Sequence, residues 1–336
     1  MASVGVIGSG AWGTTLALLL ANNGTETILW EYKPERAVEI QQRRENTLFL
    51  PGFRFPDTLN VTSDVKEAVE EKDMLLLVTP SQRMRENVRL LAPYVNNNTI
   101  FVNASKGIEV SSLKRMTEII REELPKAGNR VAALSGPNMS REIAEGKPTA
   151  AVVAAYDQEV AVHARTLLNS STYRVYTAND VVGVELGGAL KNIIAICAGI
   201  NDGMNMGDNA KSAFITRGLA ELSRLGLAAG AHPLTFAGLA GIGDLIATCA
   251  SPLSRNHQLG QRIGAGEKLE HILSSTHTVA EGVYTTKAAL KLAERYHVEM
   301  PITYKLSLVL FEGLDPYQAI TELMARDPKH EWEGII

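Results

Sequence analysis

Apolar residues in the first half of the chain fall in short, solid runs separated by amphipathic stretches. Val4-Gly5-Val6-Ile7, Thr27-Ile28-Leu29-Trp30, Met74-Leu75-Leu76-Leu77-Val78, Thr99-Ile100-Phe101-Val102 and Val131-Ala132-Ala133-Leu134 are too short for helices and apolar nearly throughout. Strands of a parallel sheet covered on both faces read this way. Asn60–Thr62, Ala150–Ala155 and Tyr173–Tyr176 add further strands, the first of them at an edge. Helical spacing fills the intervals at 14–24, 34–50, 65–71, 83–93 and 113–124. Strand alternating with helix predicts a doubly wound sheet. Near residue 184 the pattern changes: apolar positions recur at helical spacing and no strand pattern returns, the clearest helices being 184–203, 210–225 and 286–295. A length of 336 residues suits two domains. The boundary expected from the change in pattern gives 1–183 and 184–336.

The first strand runs directly into Gly8-Ser9-Gly10-Ala11-Trp12-Gly13, and the helix that follows stops at Gly24. Strand, G-x-G-x-x-G and helix together form the dinucleotide-binding fingerprint, in the context that gives it weight. Gly8 would allow the tight turn, Gly10 the approach of a pyrophosphate, and Gly13 the close packing of helix and sheet. The amides at the helix N-terminus then face negative charge. The second strand ends in Glu31, about where a ribose-binding carboxylate belongs; an acid that merely begins a loop is the alternative. The fold class expected is an N-terminal Rossmann sheet followed by an α-helical domain that carries substrate and catalytic groups.

Composition narrows the partners. A formal net charge of -4 gives neither nucleic acid nor an anionic membrane a general attraction, although a local basic pocket remains compatible with it. The two cysteines, Cys197 and Cys249, sit among apolar and small residues and suit reduced, buried thiols in a cytoplasm. The N-terminus enters a strand with no basic region or cleavage site before it, and no apolar run reaches the roughly 20 residues that span a bilayer.

Candidate chemistry lies at strand exits and in the helical half. Thr79-Pro80, Ser105-Lys106-Gly107 and Ser135-Gly136-Pro137-Asn138 leave the sheet at its carboxyl edge, where ligands of such sheets sit. Lys106 could hold a phosphate or carbonyl, or be a solvated loop residue. Lys191-Asn192 interrupts an apolar, glycine-rich helix. A buried amine there has its pKa lowered toward neutrality, as a proton donor to a carbonyl requires, whereas a helix-end lysine would reach water. Asp244 closes a small-residue loop and could partner such a lysine or cap a helix. Ser254-Arg255-Asn256-His257 gathers an anion donor with hydrogen-bonding neighbours, a grouping also common on plain surfaces. The histidines show no metal-ligand spacing, so no metal site is expected.

Taken in order, Gly8 to Thr14, Arg44-Glu45-Asn46, Ser105-Lys106-Gly107, Ser135 to Asn138, Glu185-Leu186 to Lys191-Asn192, Gly241 to Leu245, Ser254-Arg255-Asn256 and Val279-Ala280-Glu281-Gly282 match one family. The chain resembles, end to end, the NAD(P)-dependent glycerol-3-phosphate dehydrogenases of the bacterial soluble type. The resemblance implies reversible NAD(P)H-dependent reduction of dihydroxyacetone phosphate to sn-glycerol 3-phosphate, feeding glycerophospholipid synthesis in the cytoplasm, by a protein whose relatives are commonly homodimers. It implies Lys191 as the proton donor and acceptor, with Asp244 beside it. Lys106, Gly136, Asn138, Lys191, Asp244, Ser254, Arg255 and Asn256 match substrate-contacting positions. Gly8, Ser9, Gly10, Ala11, Trp12, Gly13, Glu31, Tyr32, Lys106, Ser140, Arg255, Val279 and Glu281 match cofactor positions.

The family pattern is departed from after Trp30, where this chain has Glu31-Tyr32-Lys33 and many relatives have a small residue followed by His or Arg. Glu31 would repel a 2′-phosphate and favour NAD(H), with NADP(H) possible because Lys33 and Arg36 soften the discrimination. Two other readings are a different reductase with a lysine on its helix, and a non-catalytic NAD sensor. The Ser254-Arg255-Asn256 cluster favours a phosphorylated substrate over the first. A sensor would not need Lys191, Asp244 and Arg255 together.

Overall fold

The computed structural model describes residues 2–275, 280–328, 330 and 331, and the chain forms two compact units. The first comprises Met1–Ser105 and Arg115–Val181. Its strands are β1 (Ser3–Ile7), β2 (Glu26–Trp30), β3 (Leu59–Thr62), β4 (Met74–Leu77), β5 (Ile100–Asn103), β6 (Val131–Ser135), β7 (Thr149–Ala155) and β8 (Tyr173–Ala178). Helices α1 (Ala11–Asn22), α2 (Pro34–Arg43), α3 (Val65–Val69), α4 (Met84–Leu91), α5 (Met116–Glu123), α6 (Ser140–Ala144) and α7 (Gln158–Leu168) lie between them. They form an eight-stranded sheet ordered β3-β2-β1-β4-β5-β6-β7-β8. All neighbours are parallel except β6 and β7.

The solid apolar runs have a physical cause. Val6, Leu29, Leu76 and Val102 belong to the core on one face of the sheet, with α1. Their chain neighbours Ile7, Trp30, Leu75, Leu77 and Phe101 belong to the core on the other face, with α4 and α5. A strand buried on both sides has no polar alternation to show. One expected helix is shorter than its pattern suggested. It ends at Arg43 because Arg44 adopts a left-handed backbone with φ of 55°, and the residues up to Leu50 form turns.

The second unit comprises Lys106–Lys114 and Val182–Ile336. Lys106–Lys114 lies within the expected first domain by sequence yet clusters with the helices, because Ile108 is buried in their core. The helices are α8 (Val181–Gly203), α9 (Asp208–Ala228), α10 (Pro233–Phe236), α11 (Asp244–Ala250), α12 (Arg255–Gly264), α13 (Leu269–Ser274), α14 (Glu281–Tyr296), α15 (Pro301–Phe311) and α16 (Pro316–Met324). Among the described residues of this unit there is no strand. Helix α8 has 23 residues and the mean hydropathy of a membrane span, but 89% of that apolar window is buried, as in the central helix of a globular core. Both cysteines are free and buried.

Two devices hold the unit together. Helices α8 and α12 meet backbone to backbone: a Cβ on Gly199 would stand 2.1 Å from the His257 carbonyl oxygen, and one on Gly260 2.1 Å from that of Ile196. Glu221 on α9 accepts from the amides of Ile302 and Thr303 at 2.5 and 3.2 Å, satisfying the first turn of α15. Burial pushes its carboxyl up to about 7 against those hydrogen bonds. Gly199→Ala is expected to lower stability by about 1–3 kcal/mol, the usual cost of overpacking. Urea unfolding measures it, and an unchanged midpoint would show that the two helices part without penalty.

Candidate active site

Each unit carries a constellation of its own. In the sheet unit the glycine turn is shaped by steric necessity. Gly8 has φ of 117°, and a Cβ on Gly13 would stand 1.8 Å from the Gly8 carbonyl oxygen. A Cβ on Gly10 would meet nothing within 4 Å, so space is open where a phosphate would approach the N-terminus of α1. Ala11 begins that helix, and its cap Gly10 has no side chain to accept from the first helix amides.

The turn is clamped from behind by Asn46, whose Nδ2 donates to the Ser9 carbonyl at 2.7 Å and to Thr14 Oγ1 at 2.9 Å. Ser9 Oγ donates to Glu31, which is only 2% exposed. Glu31 also accepts from the Lys33 amide at 3.0 Å and from Arg36 Nε at 3.1 Å. Tyr32, by contrast, is 67% exposed. Trp12 Nε1, Thr79 Oγ1, Ser135 Oγ and Asn138 Nδ2 are buried and make no hydrogen bond among the described residues. Thr79 and Ser135 stand at the carboxyl ends of β4 and β6, the edge at which parallel sheets bind ligands. Buried polar atoms without partners are costly, and together with the open Gly10 approach they fit a polar cofactor. Gly136 takes φ of 127° beside β7, Asn138 Oδ1 accepts from the Tyr173 hydroxyl at 3.2 Å, and Ser140 begins α6, its carbonyl accepting from Thr15 Oγ1 at 3.1 Å.

The helical unit is organised around Asp244, which is fully buried at the start of α11. Its side chain does not cap that helix; it binds Lys191 Nζ through one oxygen and Lys106 Nζ through the other, the latter at 2.6 Å. Lys191 lies mid-helix on α8, 5% exposed, so it cannot reach water as a helix-end lysine would. Thr248, one turn after Asp244, donates to the Asp244 carbonyl at 2.6 Å and its hydroxyl also receives Lys191. Burial lowers the Lys191 pKa to about 7, and the Lys106 ammonium adds to the depression that Asp244 opposes.

The first turn of α12 is bracketed by α8. Asn256 Nδ2 donates to Asn192 Oδ1 at 2.9 Å, and Asn256 Oδ1 accepts from the Gly282 amide at 3.0 Å. His257 Nε2 pairs with Asp202 Oδ2 at 2.8 Å, and Lys211 Nζ reaches the same oxygen at 2.5 Å. Ser254 Oγ accepts from the His257 amide and caps the helix. Arg255 is exposed between these buried neighbours, and Glu281 at the start of α14 favours its charge. Val279 lies outside the described residues. Thr248, Asn46 and Asp202 were not singled out as site residues by sequence; Thr248 follows Asp244 by four, the spacing that stacks two side chains on one helix face.

Residues 3–161 and 180–321 match the models of the NAD-dependent glycerol-3-phosphate dehydrogenase N-terminus and C-terminus. The chain belongs to the NAD-dependent glycerol-3-phosphate dehydrogenase family. A glycerol-3-phosphate dehydrogenase (NAD(P)+) of Geobacter metallireducens is 50% identical over 98% of both chains. One of Fusobacterium nucleatum is 45% identical over 98% of this chain and 99% of the relative. The crystal structure of glycerol-3-phosphate dehydrogenase from Coxiella burnetii superposes with a TM-score of 0.92 at 36% identity, covering 97% of this chain and 99% of that one. The family has the fold described here, a mostly parallel sheet followed by a helical domain.

Replacing Asp244 by Asn removes the carboxylate that compensates Lys106 and supports the Lys191 ammonium. Asp244→Asn is expected to cost about 3 kcal/mol or more at pH 7, the order seen when one partner of a buried pair is removed. The loss should shrink at pH 9, where Lys191 is already neutral. Equal unfolding midpoints for variant and wild type would sink the claim that this carboxylate compensates both lysines.

Proposed function

We propose that the protein is an NAD(P)-dependent glycerol-3-phosphate dehydrogenase that reduces dihydroxyacetone phosphate to sn-glycerol 3-phosphate, reversibly. The observation that carries the reading is the buried Lys191, held by Asp244 and Thr248 with a pKa lowered to about 7. A general acid works best when its pKa lies near the operating pH. The bound reduced cofactor supplies the hydride that adds to the ketone carbon. The ketone oxygen takes on negative charge as that bond forms, and the Lys191 ammonium stabilises it and gives it a proton. Lys106 adds a second positive charge on the same carboxylate. Asp244 holds both amines, one on each carboxylate oxygen, and offsets part of their charge.

Arg255, exposed at the first turn of α12, supplies the anion donor for the substrate phosphate, with the helix N-terminus behind it. Ser254 and Asn256 are its neighbours, and each keeps a side-chain proton beyond the bonds described above. The other half of the machinery is the dinucleotide site: Gly8 to Gly13 receives the pyrophosphate, Trp12 and Ser140 line it, and Glu31 meets the ribose, while Asn138 is a substrate contact. Glu31 favours NAD(H), with NADP(H) also admitted. Gly136 shapes the loop that carries Asn138.

Lys191→Ala is expected to lower kcat for dihydroxyacetone phosphate reduction by roughly 10²–10⁴ while NADH binding changes little. Near-normal turnover, followed by loss of NADH absorbance, would remove Lys191 from its role. The direction of the pH profile follows from the same residue. Reduction needs the ammonium, so its kcat falls as pH rises through about 7. Oxidation of glycerol 3-phosphate needs the neutral amine, so its kcat rises over the same range. Parallel profiles in the two directions would assign proton transfer elsewhere. Turnover of an unphosphorylated 2-keto acid in preference to the ketone phosphate would favour the other lysine-dependent reductases and make Arg255 a surface residue.

A further inference from the structure

The ribose end of the dinucleotide site holds a charge pair that the fingerprint does not anticipate. Glu31 is 2% exposed, and its carboxylate accepts from the Ser9 hydroxyl, the Lys33 amide and Arg36 Nε. Arg36, from the first turn of α2, is itself only 17% exposed. Its Nη2 donates to Asn46 Oδ1 at 3.4 Å, and its guanidinium lies 5.1 Å from the centre of the Phe49 ring. The same Asn46 holds the Ser9 carbonyl, so the pair is built into the glycine turn.

A carboxylate at the end of the second strand discriminates between dinucleotides in two ways: it accepts from ribose hydroxyls and it repels a 2′-phosphate. The second effect depends on net charge. A guanidinium about 3 Å from the carboxylate, away from bulk water, cancels most of the field that a phosphate would meet. Lys33 adds positive charge nearby, with its Nζ 5.5 Å from the Tyr32 ring.

We propose that Arg36 sets the cofactor preference. By pairing with Glu31 it keeps the ribose end of the site near electrical neutrality, so that a 2′-phosphorylated dinucleotide is admitted beside the unphosphorylated one. This rests on reading Gly8–Gly13 as the dinucleotide site. Arg36 acts through Glu31 and makes no contact with the cofactor itself.

The test compares kcat/KM for NADPH and NADH in five proteins. Arg36→Met leaves Glu31 uncompensated, and the NADPH/NADH ratio is expected to fall roughly tenfold or more, the factor carried by about 1.4 kcal/mol. Glu31→Gln should raise the ratio, and Arg36→Lys should stay near wild type. The double variant Glu31→Gln/Arg36→Met decides the mechanism: charge balance brings the ratio back toward wild type, whereas a direct grip of Arg36 on the phosphate leaves it low and overturns the proposal. A ratio unmoved in Arg36→Met and in Glu31→Gln overturns it as well. Should Arg36→Met fold poorly, Glu31→Gln and the double variant carry the same decision. Gly10→Glu is a separate control, its side chain entering open space. Loss of NADH binding there, by fluorescence titration, keeps the site reading intact whatever the ratios show. Undiminished binding in that variant would discard the site reading together with this inference.

Discussion

One buried carboxylate decides how the helical unit works. Asp244 is inaccessible to water and faces the amines of Lys191 and Lys106 at once. A lone ammonium among apolar helices would be prohibitively costly. With two amines sharing a single carboxylate, neither is fully compensated, and burial wins over attraction at Lys191. The small residues Gly238 to Gly243 make this possible by letting the chain turn tightly before α11. A Cβ on Gly241 would stand 2.2 Å from the Phe236 carbonyl oxygen. Local backbone economy thus delivers the carboxylate, the carboxylate permits the buried lysine, and the lysine's altered basicity is what a proton donor needs.

The two units use burial to opposite ends. In the sheet unit, Glu31 and Arg36 are brought together one to one, and the result is a quiet electrostatic environment. In the helical unit, the count is two cations to one anion, and the result is a responsive one. Hydrogen bonding is alike in the two units. Asn192, Asn256 and His257 Nε2 tie α8, α12 and α14 together. Yet Asn201 Oδ1 and His257 Nδ1, like Thr79 Oγ1 and Ser135 Oγ at the carboxyl edge of the sheet, are buried with no partner among the described residues.

Much of this was legible in the sequence, for reasons that are specific. The strands announced themselves because both faces of the sheet are covered, so apolar runs had no competing interpretation. The helical half announced only its class. Lys191 stayed ambiguous because whether a lysine is buried depends on where its helix starts. Once α8 begins at Val181, position 191 is central and has no route to water. Arg44 shortened α2 through a left-handed residue that composition does not reveal. Arg36 was readable as a charge that tempers Glu31 but not as its direct partner, and Asn46 was not readable as the partner of Ser9, since those contacts form only when α2 and the loop after it fold back on the glycine turn. The match of Arg44-Glu45-Asn46 to a family marked that stretch without giving its physics.

The glycine contact between α8 and α12 has a consequence for what the enzyme can accept. Helix α8 carries Lys191 and α12 carries Arg255, the proton donor and the anion donor of the proposed reaction. Where Gly199 and Gly260 meet the opposite helix, the backbones touch with no side chain between them. Side chains can repack to absorb a shift; two abutting backbones cannot. The offset between Lys191 and Arg255 is therefore set by the main chain, and in the proposed reaction it would act as a rigid gauge of substrate length.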